Sequence, residues 1–251
     1  MKKAFIPLLL CAIFALPAAA ETYWFHDLDS FDGWDIVGSN ANVFDMAAVT
    51  SGAIEGNGFG FHDSSYAWEH ATSNNADMSK PGVGDTRYLY FWGVVASGDP
   101  GRPHMGVSQA DANFGGGGAY ETFNHGFWHY ADGAQIIAAH RDGLRPNRVQ
   151  GVGKGLYDFR ISWTGVAEGQ WDVSWEYKDY ATATWNVVDT LANDTLNDPG
   201  RIKLGSVVDR SFFDAVEYSN VDRTVKVPEP ATLSLVTAIS VMIFSVRKKR
   251  R

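Results

Sequence analysis

The chain has 251 residues, of which 45% are hydrophobic and 20% charged, so it can bury a core and is not a disordered protein. Aromatic residues make up 14% and glycine occupies 26 positions, a composition typical of all-β proteins and unlike that of a helical bundle. There are 29 acidic residues against 21 basic ones, and seven of the basic residues lie near the chain ends. The acidic middle of the chain is therefore unsuited to binding nucleic acid.

The N-terminus has the order of features that a secretory signal requires. Lys2 and Lys3 precede an apolar run from Ala4 to Leu16, and three small residues end at Ala20. We therefore predict a signal peptide over residues 1–20, with cleavage after Ala20. The single cysteine, Cys11, lies inside the apolar run, so the exported protein is expected to fold without disulfides.

Short stretches rich in aromatic and β-branched residues then recur between glycine and proline clusters, and no helical period appears between residues 21 and 226. Arg87–Ala96 is apolar on both faces, which predicts a central strand. The predicted strands are Thr22–His26, Val43–Val49, Tyr66–Ala71, Arg87–Ala96, His104–Ser108, Tyr120–Tyr130, Gln135–Ala139, Leu156–Trp163, Trp171–Tyr177, Trp185–Val188, Ile202–Val208 and Phe212–Tyr218.

The clearest alternation belongs to a hairpin. In each of its two strands, every second residue is large and apolar. The predicted core-facing residues are Tyr157, Phe159, Ile161 and Trp163 in the first strand and Trp171, Val173, Trp175 and Tyr177 in the second. A loop over Thr164–Gln170 is expected to join the strands, and a turn around Ala181–Ala183 leads to a third strand.

These elements predict an all-β fold for residues 21–226, a two-sheet antiparallel jelly-roll sandwich. The order of the segments at Phe31–Trp34, Tyr157–Arg160 and Phe213–Val216 resembles that of concanavalin A-like and laminin G-like domains. A galactose-binding-type jelly roll or a carbohydrate-binding module would show a similar pattern.

The C-terminal 25 residues have three parts. Pro228, Glu229 and Pro230 precede an apolar run, Ala231–Val246, which spans roughly 24 Å as a helix and is predicted to cross a membrane. Five basic residues, 247–251, follow and predict a cytoplasmic tail. This end resembles the PEP-CTERM sorting signal of Gram-negative bacteria, and a simple C-terminal anchor is the alternative.

The resemblance implies an inner-membrane-anchored precursor that an exosortase processes near Pro228, Glu229 and Pro230. It also implies delivery to the cell surface or to an extracellular exopolysaccharide matrix. The predicted organisation is thus a signal peptide (1–20), a β-sandwich (21–226) and a sorting signal (227–251).

Two groups of residues are candidates for ligand binding. Trp128 and Tyr130 follow the glycine run 115–118 and alternate with His125 and His129, so they could form a sugar-stacking surface, although core packing of Trp128 is the alternative. The loop aspartates Asp27, Asp29 and Asp32 could converge on calcium, or simply form an exposed turn.

No catalytic signature is evident in the sequence. Glycosidases use a pair of carboxylates, and the candidates here are Asp172 and Glu176. The strand face that carries them has the pattern of a solvated surface. We therefore expect a non-catalytic surface or matrix protein whose sandwich binds carbohydrate or packs with other matrix components. The alternatives are a divergent glycan-active enzyme of the concanavalin A-like class and a purely structural surface protein.

Overall fold

The computed structural model describes residues 21–37, 41–61, 68–74, 78–97, 102–108, 123–141, 143–180, 182–195, 200–207 and 210–226. The predicted signal peptide, the glycine run 115–118 and the predicted sorting signal, including Pro228, Glu229 and Pro230, lie outside these residues. Within the described ranges, no helix is long and apolar enough to cross a membrane.

The described residues form sixteen strands and one helical turn. In chain order they are β1 (Thr22–His26), β2 (Trp34–Val37), β3 (Ala41–Asp45), α1 (Met46–Val49), β4 (Asn57–Phe61), β5 (Trp68–Ser73), β6 (Thr86–Ala96), β7 (Pro103–Ser108), β8 (Phe123–Tyr130), β9 (Gln135–His140), β10 (Gly143–Gln150), β11 (Gly155–Ala167), β12 (Gln170–Asp179), β13 (Asn186–Asp194), β14 (Arg201–Val207), β15 (Ser211–Phe213) and β16 (Ala215–Ser219).

The strands build two antiparallel sheets. The nine-stranded sheet runs β13-β12-β11-β6-β15-β4-β3, with β16 also beside β6 and β1 beside β16. The seven-stranded sheet runs β10-β9-β8-β7-β14-β5-β2. The main hydrophobic core combines buried residues of both sheets, so the predicted all-β two-sheet sandwich is confirmed.

The predicted hairpin is confirmed in pairing and in its buried face. Phe159, Ile161 and Trp163 of β11 and Trp175 of β12 are buried in the inter-sheet core, and Tyr177 is half-buried. The predicted seven-residue loop is wrong, because β11 continues to Ala167 and β12 begins at Gln170. A two-residue turn suffices because Gly169 has a φ of +68°, which glycine adopts without steric cost.

The central position of Arg87–Ala96 is also confirmed. This stretch forms β6, which pairs with β11 on one side and with β15 and β16 on the other. Its two faces pack into different clusters, since Leu89 and Phe91 join the inter-sheet core while Tyr90 and Trp92 stack on the outer side.

Two predicted strands are interrupted in the structure. Val43–Val49 is a strand only up to Asp45, whose side chain accepts a hydrogen bond from the Ala47 amide at 2.9 Å and caps the turn α1. Phe212–Tyr218 breaks at Asp214 into β15 and β16. The sequence pattern predicted neither interruption. A helix cap and a strand break each depend on a single polar residue, whereas the pattern detects only periodicity.

Candidate functional site

The two faces of β8 carry different side chains, and this separates the four predicted ligand residues. Phe127 packs against Phe159 of the opposite sheet, so β8 directs its odd-numbered residues His125 and His129 into the sandwich. Trp128 and Tyr130 lie on the outer face, with ring centroids 5.8 Å apart and planes 27° apart. Trp128 and Tyr130 therefore share one face of the strand, whereas His125 and His129 lie on the opposite face and do not flank the two rings.

The outer pair lies in an aromatic and basic environment. The His104 ring stacks on Trp128 with centroids 5.0 Å apart, and Trp128 is only 1% exposed. Tyr130 is half-buried, and the Arg102 guanidinium lies 5.2 Å from its ring centroid while pairing with Asp132 at 2.7 Å. Trp128 is thus buried in a cluster on the outer face and supports the Tyr130 ring. Of the two rings, Tyr130 is the one that solvent reaches.

Three buried basic groups occupy the same outer face. His70 and His104 both lie opposite Gly205 of β14, and Lys203 shares that face because its neighbours Ile202 and Leu204 point into the core. Burial lowers the pKa of His104 to about 3, and it lowers that of His70 to about 4. Burial, together with the charge of Arg201, lowers the pKa of Lys203 to about 8. Both imidazoles are therefore neutral at pH 7, while most Lys203 side chains remain cationic.

The aspartates proposed for calcium lie in the loop between β1 and β2. Asp27 is half-buried, while Asp29 and Asp32 are exposed. The Asp29 amide donates to Asp27 at 3.4 Å, and the Ser30 hydroxyl donates to Asp32 at 3.2 Å. These are turn contacts. Within the described residues the three carboxylates do not form a convergent donor group, and calcium at this loop remains a prediction.

A convergent group does occur between the sheets, and sequence reasoning missed most of it. His125 of β8 and His140 of β9 are directly opposite in register, and Asp194 ends β13 of the other sheet. The His125 Nε2 lies 2.8 Å from Asp194 Oδ2, and the His140 Nε2 lies 3.5 Å from Asp194 Oδ1. The β8–β9 hairpin register could have paired the histidines, but nothing in the sequence indicated Asp194.

The two residues considered for glycosidase chemistry, Asp172 and Glu176, each contact a different partner. Glu176 is bound by Arg160, whereas Asp172 accepts a hydrogen bond from the Asn193 amide at 3.0 Å. Asp172 also lines an open groove of about 250 Å³ on the outer face of the nine-stranded sheet. Hydroxyl-bearing side chains form much of the remaining lining, contributed by Ser162, Thr164, Ser174 and Thr190.

Comparison with solved structures finds other sandwich domains of similar fold. The metal-free Emp46p carbohydrate recognition domain matches 77% of this chain and 90% of its own, with 10% identity and a TM-score of 0.51. The VIP36 exoplasmic/lumenal domain in its Ca²⁺/Man3GlcNAc-bound form matches 82% of this chain and 89% of its own, with 6% identity and a TM-score of 0.50. The carbohydrate esterase vb_24B_21 of Shiga toxin-encoding bacteriophage phi24B matches 80% and 98%, with 10% identity and a TM-score of 0.50.

No protein-family model matches the chain, and no curated protein matches it in sequence. Identities of 10% or less to the solved structures establish a likeness of fold alone. The chain is therefore similar in fold to lectin-type sandwich domains, in agreement with the concanavalin A-like body predicted from its sequence.

Proposed function

We propose that this protein is a non-catalytic, carbohydrate-binding protein of the bacterial surface or extracellular matrix. The observation that carries the proposal is the outer face of the seven-stranded sheet, where Tyr130 is partly exposed beside Arg102 and is supported by Trp128. An aromatic ring with adjacent hydrogen-bond donors is a common arrangement for stacking on a sugar. The likeness to a carbohydrate recognition domain and to a glycan-bound VIP36 domain supports the same class of ligand.

The route to the cell surface is part of the proposal. We infer that residues 1–20 direct export, that residues 227–251 hold the precursor in the inner membrane, and that an exosortase processes it near Pro228, Glu229 and Pro230. The support is the order of motif, apolar run and basic tail in the sequence. Replacing the three motif residues with alanine should trap the precursor in the inner membrane. Unchanged processing and surface yield would contradict this route.

Carbohydrate binding is tested with the full-length protein, purified in detergent, on a polysaccharide and glycan array. Tyr130→Ala should weaken retention at least tenfold, because the exposed stacking surface is removed. The matched control is Tyr23→Ala, because solvent also reaches Tyr23 and an arginine, Arg87, lies 4.3 Å from its ring centroid, but Tyr23 belongs to the other sheet. Equal binding by the wild type and by Tyr130→Ala would contradict this placement of the site.

The array also tests the predicted calcium. If Asp27, Asp29 and Asp32 bind calcium that orders a sugar site, chelation with EGTA should abolish glycan retention and added calcium should restore it. Replacing Asp29 and Asp32 with asparagine should then reproduce the effect of EGTA. Retention that is insensitive to both treatments would remove calcium from the proposal while leaving carbohydrate binding intact.

A further inference from the structure

We propose that His125, His140 and Asp194 form a binding site for a divalent transition-metal ion, zinc above all, that joins the two sheets. The site lies inside the sandwich rather than on the outer face proposed for carbohydrate, so the two proposals are independent.

The positions of the donor atoms suit a single ion. His125, His140 and Asp194 each offer one donor atom, and the three donor atoms all lie within 4.8 Å of one another. The His125 Nε2 lies 2.8 Å from Asp194 Oδ2, and the His140 Nε2 lies 3.5 Å from Asp194 Oδ1. In a tetrahedral zinc site with bonds of about 2.0–2.2 Å, neighbouring donor atoms are about 3.3–3.6 Å apart. The closer pair, His125 Nε2 and Asp194 Oδ2, would have to separate by about 0.5–0.8 Å to make room for the metal.

The chemistry of the donor atoms indicates which metal ions would bind. Two imidazole nitrogens and one carboxylate oxygen suit zinc, cobalt, nickel and copper, whereas calcium takes oxygen ligands. Burial lowers the pKa of His125 to about 4, so its ring is neutral at pH 7. Burial alone would raise the pKa of Asp194, but hydrogen bonds from His125 and His140 and the charge of Lys80 hold it well below its usual range.

Two groups compete with the ion. The Lys80 ammonium lies 3.5 Å from Asp194 Oδ2 and 4.6 Å from the Trp171 ring centroid. The Trp163 indole N–H donates to His125 Nδ1 at 3.3 Å, so the imidazole proton is on Nε2, from which it can donate to Asp194. A metal on Nε2 moves that proton to Nδ1 and ends the bond from Trp163. The ion and the Lys80 ammonium are therefore alternative counter-charges for Asp194, and binding of the ion also breaks the hydrogen bond from Trp163 to His125.

If zinc and Lys80 compete for Asp194, removing Lys80 should change the zinc affinity, which a purely structural ion pair would not lead us to expect. Removing the rival cation with Lys80→Met should tighten zinc binding severalfold, because the ion then meets an uncompensated carboxylate. Asp194→Asn and His140→Gln should each weaken binding at least tenfold. The matched control is His26→Gln, which removes a partly buried histidine outside the group and should leave the affinity unchanged.

The experiment uses the full-length protein in detergent, stripped with a chelator and titrated with Zn²⁺ by calorimetry and with Co²⁺ by visible absorption. We expect one ion per chain, intense Co²⁺ bands of tetrahedral coordination, and a change in tryptophan fluorescence as the Trp163 bond is lost. Near-ultraviolet circular dichroism checks that each variant is folded. The absence of saturable binding by the folded wild type would overturn the site without reference to any variant. Binding that is equal in wild type, His140→Gln and Asp194→Asn would also overturn it.

Discussion

Replacing Lys178 with methionine tests a buried ion pair on the outer face of the nine-stranded sheet. The Lys178 Nζ lies 2.6 Å from Asp158 Oδ2, and both side chains are almost fully buried. The ammonium also donates to the Thr182 carbonyl at 3.1 Å and lies 5.3 Å from the Trp185 ring centroid. Methionine keeps much of the lysine volume, so the substitution chiefly removes the charge.

The expected cost is large because Asp158 would be left with an uncompensated charge. Among the described residues, Asp158 would keep a hydrogen bond from the Gly93 amide, which donates to Asp158 Oδ1 at 2.8 Å, and a weaker electrostatic attraction to Lys226. Removing one partner of a buried ion pair typically costs about 3–5 kcal/mol, so we expect the free energy of unfolding at pH 7 to fall by that amount. Adding Asp158→Asn should recover most of the loss, because no buried charge then remains.

The pH dependence provides a second check. Burial raises the pKa of Asp158 even beside Lys178, and removal of the ammonium should raise it further. A carboxyl whose pKa is higher in the folded state contributes stability below its unfolded pKa and loses it as pH rises through the folded pKa. The deficit of the Lys178→Met variant should therefore be largest at neutral pH and shrink as the pH falls towards 4.

Urea unfolding followed by tryptophan fluorescence measures these differences. The control is Arg201→Met, which breaks an exposed pair with Asp35 at 3.4 Å and should cost less than about 1 kcal/mol. A loss below about 1 kcal/mol for Lys178→Met at pH 7, or a deficit that is the same at pH 4.5 and pH 8, would refute the reasoning.

Three further predictions concern the body of the sandwich. Phe159→Ala should lower the free energy of unfolding by about 3–5 kcal/mol in urea titrations, because Phe159 is fully buried, whereas Val187→Ala at an exposed position should cost less than about 1 kcal/mol. Because the pKa of His104 is depressed to about 3, its stability contribution is present above its unfolded pKa of about 6.5 and is lost as the pH falls. Between pH 7 and 5 the wild type should therefore lose about 2 kcal/mol more than His104→Gln, and equal pH slopes would contradict this. Gly93→Ala should fail to fold or melt well below the wild type, since φ is +60° and a Cβ would lie within 3.0 Å of Ile54 and Asp214.

Much of the architecture follows from patterns of neighbouring residues. The alternation in β11 and β12 predicted both the hairpin and its buried face, because a strand with one buried side must place an apolar residue at every second position. The doubly apolar run in β6 likewise indicated a strand covered on both faces. Each of these features is decided within about ten residues of chain.

Other strands were missed because packing, not propensity, produces them. Strand β4 has the sequence NGFGF, and glycine is depleted in strands. A Cβ on Gly58 would approach Met46 and the Phe213 backbone within 3.0 Å, and one on Gly60 would collide with Phe44. The glycines are required by contacts from other segments. Strand β10 was missed for a related reason, since Pro146 and charged residues are tolerated at the edge that β10 occupies.

The candidate sites divide in the same way. The sequence alone determined that Trp128 and Tyr130 share one strand face and that His125 and His129 share the other, because side-chain alternation is a local property of the backbone. Only the tertiary structure placed Asp194 of the nine-stranded sheet beside His125 and His140 of the seven-stranded one. Such convergence depends on how closely two sheets pack and on which ends of their strands meet. The spacing of residues along one strand determines neither of these.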